Sequence, residues 1–174
     1  MKHRIFIALP ISESLQQEIL EWEEKFSNLP VRWLQGKNLH ITLVPPWHEE
    51  NLEGAKNLLE QATGSGYLNL EFEKVTFGPD PRRPRLIWAE GETPRQLIDL
   101  RRKVHQIFGR EEEKRPFQLH LTVARFRPEP FSSFPIKKLD EKVNWRDEVR
   151  RVVLFESRLL REGADYQIMA KIAL

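Results

Sequence analysis

The apolar positions of this chain fall into short runs whose spacing alternates between two periods. Residues 5–9, from Ile5 to Leu9, are continuously apolar and stop at Pro10, as a buried strand would. Ser12 then reads as an N-cap, and Leu15, Ile19, Trp22 and Phe26 follow at steps of four, three and four. They form one face of a helix whose other side carries Glu18, Glu21 and Lys25. Residues 31–34 and 39–44 read as strands, the second stopped by Pro45-Pro46. Leu52, Ala55, Leu59 and Ala62 mark a second helix, closed at Gly64. Residues 68–77 alternate as a strand, with an irregularity near Glu73, and a proline-rich loop over 78–84 leads to a strand at 85–89. In Thr93-Pro94-Arg95-Gln96 we read an N-cap, a proline at the first helical position and a capping-box Gln. That helix shows Leu97, Leu100, Val104, Ile107 and Phe108 on one face and ends at Gly109. A strand over 118–126 follows, and 149–160 with 166–173 read as a closing hairpin. Strands and helices in this order, with antiparallel pieces, predict an α+β fold.

The order also contains a repeat. His40 lies 32 residues after Ala8, and His120 lies 31 after Ala89. Each interval holds one amphipathic helix and a polar connection, and each ends in Leu-His-(Ile or Leu)-Thr-(Leu or Val). Duplication accounts for motif, spacing and element order together, whereas chance likeness among short apolar strands accounts for none of them jointly. Residues two apart on a strand share a face. His40 and Thr42 therefore point one way while Leu39, Ile41 and Leu43 point into a core, and His120 and Thr122 behave likewise. If the repeats face each other, two imidazoles and two hydroxyls line one cleft.

Such a set suits in-line displacement at phosphorus. A neutral histidine takes a proton from the attacking water, and a protonated one gives a proton to the leaving oxygen. Histidine's ordinary pKa of about 6.5 is the side-chain value nearest neutrality. The threonine hydroxyls of Thr42 and Thr122 can donate to non-bridging oxygens, where charge builds. Zinc is the rival use of paired histidines, but neither motif has an acid beside it on the histidine face, and threonine is a poor ligand. His48, eight residues after His40, is the one further histidine near the first motif.

Composition narrows the setting. With 174 residues, 40% hydrophobic, five Trp and ten Phe, the chain can bury a core, and we expect one domain of two lobes over 1–174. The absence of cysteine removes disulfides, thiolate metal sites and cysteine nucleophiles, and fits a reducing cytoplasm. The N-terminal apolar run is too short for a signal core or a membrane span. A net charge of +2 with a pI of about 8.9 tolerates a polyanion without announcing one.

The two His-x-Thr motifs, 80 residues apart, resemble those of the two-histidine (2H) phosphoesterase superfamily, and within it the RNA 2′,3′-cyclic phosphodiesterases, also called 2′-5′ RNA ligase-like proteins. The resemblance extends over Arg4-Ile5-Phe6-Ile7-Ala8, Arg32-Trp33, Pro84-Arg85-Leu86-Ile87-Trp88, Ala124-Arg125, Ser157-Arg158-Leu159-Leu160 and Gly163 with Tyr166. It implies a bilobal, pseudo-two-fold α+β fold with two antiparallel sheets lining a cleft and helices outside. It also implies no cofactor or metal, a monomer without membrane attachment, and RNA ending in a 2′,3′-cyclic phosphate, or a related cyclic nucleotide, as substrate. The product would be a 2′-phosphate.

By the same resemblance His40 is the proton donor and His120 the proton acceptor, an assignment that the near-symmetry leaves reversible. Arg125 matches a phosphate-contacting position, although strand parity turns it away from His120 unless the strand bends. ATP-independent 2′-5′ ligation or 2′-5′ phosphodiesterase activity would use the same residues, and a non-catalytic nucleotide or RNA binder would keep the cleft. The Val44-Pro45-Pro46-Trp47 segment departs from the family pattern. Trp47 and Phe6 are candidates for stacking on a base, with ordinary packing as the competing role for each. Arg82, Arg83 and Arg85 could guide an RNA tail, or simply solvate a loop.

Overall fold

The computed structural model describes residues 1–174, the side chain of Pro130 excepted. In chain order the elements are β1 (His3–Pro10), α1 (Glu13–Glu23), β2 (Arg32–Trp33), β3 (His40–Glu49), α2 (Leu52–Leu59), β4 (Leu68–Gly78), β5 (Leu86–Glu90), α3 (Arg95–Ile107), β6 (His120–Arg125), β7 (Asp140–Val149), β8 (Arg151–Leu160) and β9 (Gly163–Ala173). The strands form two antiparallel sheets, ordered β3-β1-β8-β9 and β2-β6-β5-β4-β7. The α+β class expected from the sequence is the one observed.

Local chemistry explains most boundaries. Ser12 Oγ accepts the Leu15 N–H at 3.2 Å and starts α1. Asn51 Oδ1 accepts the Gly54 N–H at 2.9 Å and starts α2. Gly109, at φ +58, lets the chain leave α3 while Arg110 N–H donates back to His105 O, the six-to-one bond of a Schellman turn. The start of α3 differs from the expected one. Pro94 is the cap residue, and the Thr93 hydroxyl instead accepts the Leu119 N–H at 2.8 Å, one residue before the second motif.

Two strands depart from the sequence reading. Pro45-Pro46 does not end β3, which continues to Glu49. It is an edge strand, and both prolines fall where the register with β1 shifts, opposite Phe6, so their missing N–H groups cost no ladder bond. Strand β7 has no counterpart among the expected elements, because six of its ten residues are charged. It too lies at a sheet edge, where charge discourages pairing with other chains. The irregularity near Glu73 is real: the β4–β7 register shifts between Phe72 and Lys74.

Alternation sorts side chains as expected. Ile5, Ile7, Leu9, Leu39, Ile41 and Leu43 join Leu119, Leu121 and Val123 in one apolar core running beneath both sheets. The other face of β1 and β8 carries a separate small cluster of Phe6, Ala8, Val153 and Phe155, against which Tyr166 packs. The helices are crossed between the halves. Helix α1, from the first half, sets Trp22 edge-on to Trp145 of β7 in the second sheet. Helix α3, from the second half, packs on β3 of the first.

Glu23, at the end of α1, is 8% exposed, and its Oε1 has no partner. Burial pushes its carboxyl up from the usual 4.5 to about 7. The folded state thus keeps a proton that the unfolded chain has already released, so the associated stability is present below pH 4.5 and is lost as pH rises through 7. Glu23→Gln is expected to stabilise the fold by about 1–2 kcal/mol at pH 8 and hardly at all at pH 4, as read from urea unfolding at both pH values.

Candidate active site

The two motifs occupy the same register in the two sheets. Across β1–β3, Pro10 faces His40 and Ala8 faces Thr42; across β5–β6, Glu90 faces His120 and Trp88 faces Thr122. Both histidines thus follow their cross-strand partners by 30 residues, and both threonines by 34. The next step is irregular in both. Ile7 pairs with Val44, passing over Leu43, and Ile87 pairs with Ala124, passing over Val123. Each motif is therefore followed at once by a β-bulge.

The bulges settle the direction of Arg125. Leu43 with Val44, and Val123 with Ala124, are consecutive yet all buried, so two neighbouring side chains enter the core together. The residue after them returns to the opposite face. In the second half that residue is Arg125, which alternation alone would have turned away from His120. Its charge acts on His40, as does that of His120. Arg125 lines a cavity of about 240 Å³ together with Arg32, Lys37, Asn38 and Tyr166. Arg32 lies directly across from Arg125, on β2. Two guanidinium groups at paired positions repel each other, and an anion between them relieves that repulsion.

Each imidazole is held by the carbonyl two residues before it. His40 Nδ1 donates to Asn38 O at 2.7 Å, and His120 Nδ1 donates to Gln118 O at 2.9 Å. A carbonyl only accepts, which fixes the tautomer and leaves Nε2 with its lone pair. In His40 that nitrogen receives the Thr42 hydroxyl at 3.1 Å.

The two surroundings differ. His40 is half-buried against Phe6 (5.0 Å between ring centroids), Tyr166 (5.3 Å) and Phe155 (6.2 Å). This burial pushes its pKa down to about 4; the positive charges of Arg125 and His120 act the same way, and the bond to Asn38 O opposes them. The His120 ring lies 4.8 Å from that of Trp88. Trp88 itself rests on Gly78, where a Cβ atom would come within 2.6 Å of the indole.

The two base-stacking candidates have other work. Trp47 is only 9% exposed, edge-on to Phe108 and beneath the Arg110 guanidinium, so neither face is open to a base. Phe6 does point to the cleft side but is 1% exposed, enclosed by His40, Phe155 and Tyr166. Arg82, Arg83 and Arg85 are exposed. Sequence reasoning overlooked Arg32 and Tyr166, which line the cavity with Arg125, and Trp88, which lies against the His120 ring, although all three stand in segments that carry the family resemblance. Among the described residues, no three or more His, Asp or Glu side chains cluster in a way that could hold a metal ion. No described helix is long and apolar enough to cross a membrane.

An α+β protein of two antiparallel sheets, with a His-x-Thr pair at the same register in each, has the architecture of a two-histidine phosphoesterase. The chain belongs to the 2′-5′ RNA ligase superfamily, whose family model matches residues 11–159. It is 28% identical over 172 residues to an RNA 2′,3′-cyclic phosphodiesterase of Archaeoglobus fulgidus, covering 94% of this chain and 96% of that protein. To the protein of the same name from Bacillus subtilis it is 30% identical over 132 residues, 69% of each chain. Among solved structures, LigT of E. coli complexed with 3′-AMP superposes with a TM-score of 0.79 at 25% identity, covering 100% of this chain and 99% of LigT.

Proposed function

We propose that this protein hydrolyses RNA 2′,3′-cyclic phosphate ends to 2′-phosphates by metal-independent acid–base catalysis, acting as a monomeric two-lobed domain in the cytoplasm. The observation that carries this reading is the matched pair of imidazoles, each tied through Nδ1 so that Nε2 is its working nitrogen, with Arg125 brought to the same side by the bulge. The names of the curated relatives, and the 3′-AMP in the E. coli protein, support the substrate class.

In the proposed reaction His120 takes a proton from water as its oxygen attacks phosphorus. The bond from phosphorus to O3′ breaks, and His40 protonates O3′, leaving the phosphate on O2′. Thr42 and Thr122 donate to the non-bridging oxygens, and Arg125 balances their growing charge. His40 is neutral in the free protein at pH 7. Its role as donor therefore depends on the anionic phosphate, whose charge opposes that of Arg125 and restores the proton affinity of the ring.

The test is an oligonucleotide bearing a terminal 2′,3′-cyclic phosphate, incubated in excess EDTA with the phosphate position of the product assigned. Conversion to a 2′-phosphate is expected, and a 3′-phosphate product or abolition of turnover by the chelator would sink the proposal. In the free protein the His40 ring should titrate near pH 4, as followed by its NMR signals, and inorganic phosphate bound in the cleft should move that titration upward.

A further inference from the structure

The two bulges leave two carbonyl groups to be accounted for. Leu43 and Val123 are the extra residues, passed over by the strand register, and both are buried. A buried carbonyl requires a donor. Val123 O has one in the backbone N–H of Leu34, 2.9 Å away, just past the end of β2. Leu43 has no equivalent strand beside it, because β3 is the edge of its sheet. Its oxygen lies 3.0 Å from Nε2 of His105, a side chain of α3 that is 2% exposed. Nδ1 of the same ring is 3.2 Å from Arg110 O, in the turn that closes α3, so the imidazole lies between the helix end and the strand. Both neighbours only accept, and the shorter contact, to Leu43 O, assigns the ring hydrogen to Nε2.

We infer that His105 is a positioning residue for His40 and Thr42, doing with a side chain what a backbone amide does for the other motif. The inference rests on the reaction proposed above. The bulge follows directly on Thr42, so its geometry sets the angle at which the Thr42 hydroxyl meets His40 Nε2 and enters the cleft. With the donor removed, the Leu43 carbonyl loses its anchor and β3 relaxes toward a regular pleat, drawing Thr42 out of line. The His120 strand, anchored by Leu34, keeps its geometry.

The experiment compares His105→Leu with His105→Gln, whose amide can still donate to Leu43 O, at a temperature where circular dichroism shows both variants folded. Expected in His105→Leu is a fall in kcat of about ten- to hundredfold with KM changed by less than about threefold, the pattern of displaced chemistry. His105→Gln should stay within about threefold of the parent in kcat. Equal losses in both variants, or none in His105→Leu, overturn the inference.

A measurement on the unaltered protein covers the case in which His105→Leu does not fold. Its ¹⁵N spectrum should show a proton on Nε2 of His105, and an unprotonated Nε2 overturns the inference. If the unaltered protein turns over no cyclic phosphate, the proposed function falls. The Nε2 proton, together with a shift of the His40 ring signals in His105→Leu but not in His105→Gln, still decides the anchoring role.

Discussion

Replacing either His40 or His120 with alanine is expected to lower kcat/KM on a cyclic-phosphate end by about 10³-fold or more, and the double replacement should cost little beyond either single one. The geometry explains why the losses do not multiply. In the proposed reaction the two Nε2 atoms serve the two ends of a single displacement, one on the attacking oxygen and one on the leaving oxygen. With one of them gone, the other has no concerted step to assist. Steady-state kinetics on the three variants measures this directly. A double variant much slower than both singles would mean that the histidines act independently, which the matched register of β3 and β6 does not favour.

Arg125→Ala should be the next most damaging change, at about 10²-fold in kcat/KM, with Arg125→Lys recovering part of the loss. Lysine restores a charge but not the planar fork that can span two phosphate oxygens. A second readout separates this from loss of fold. Arg125 helps to hold the His40 proton off, although burial is the larger cause. Removing the guanidinium should move the His40 titration, read from its ring signals by NMR, upward from about 4 while leaving it short of the ordinary histidine value. An unchanged His40 titration and unchanged rate in Arg125→Ala would remove Arg125 from the site.

The sequence carried the site further than it carried the fold around it. His40, Thr42, His120 and Thr122 were legible because strand alternation and the repeat gave each a direction and a counterpart. Arg125 was legible only through family resemblance: a bulge reverses parity, and a bulge is a property of two strands in register rather than of one in sequence. The stacking roles considered for Trp47 and Phe6 could not be judged in advance, since what closes off each ring comes from distant segments, α3 and the 110 region for one, β8 and β9 for the other. Strand β7 hid because its charges suit an edge that no local pattern announces. Continuation of β3 through Pro45-Pro46 was hidden for a related reason, as only the sheet order shows that β3 is an edge. His105 looked like an isolated histidine because its partner, Leu43 O, is a backbone atom 62 residues away.

The crossing of the helices bears on how the cleft handles its substrate. Because α1 is seated on the second sheet and α3 on the first, each half is braced by a strut from the other. Prising the two sheets apart would pull both struts from their seats and expose Trp22 and His105 to water. Hinged enzymes close over their substrates by bending a few connecting residues between otherwise independent bodies. Here the bodies are interlocked, so under the proposed function we expect an RNA end to be accepted by whether it fits the existing gap rather than by being gripped.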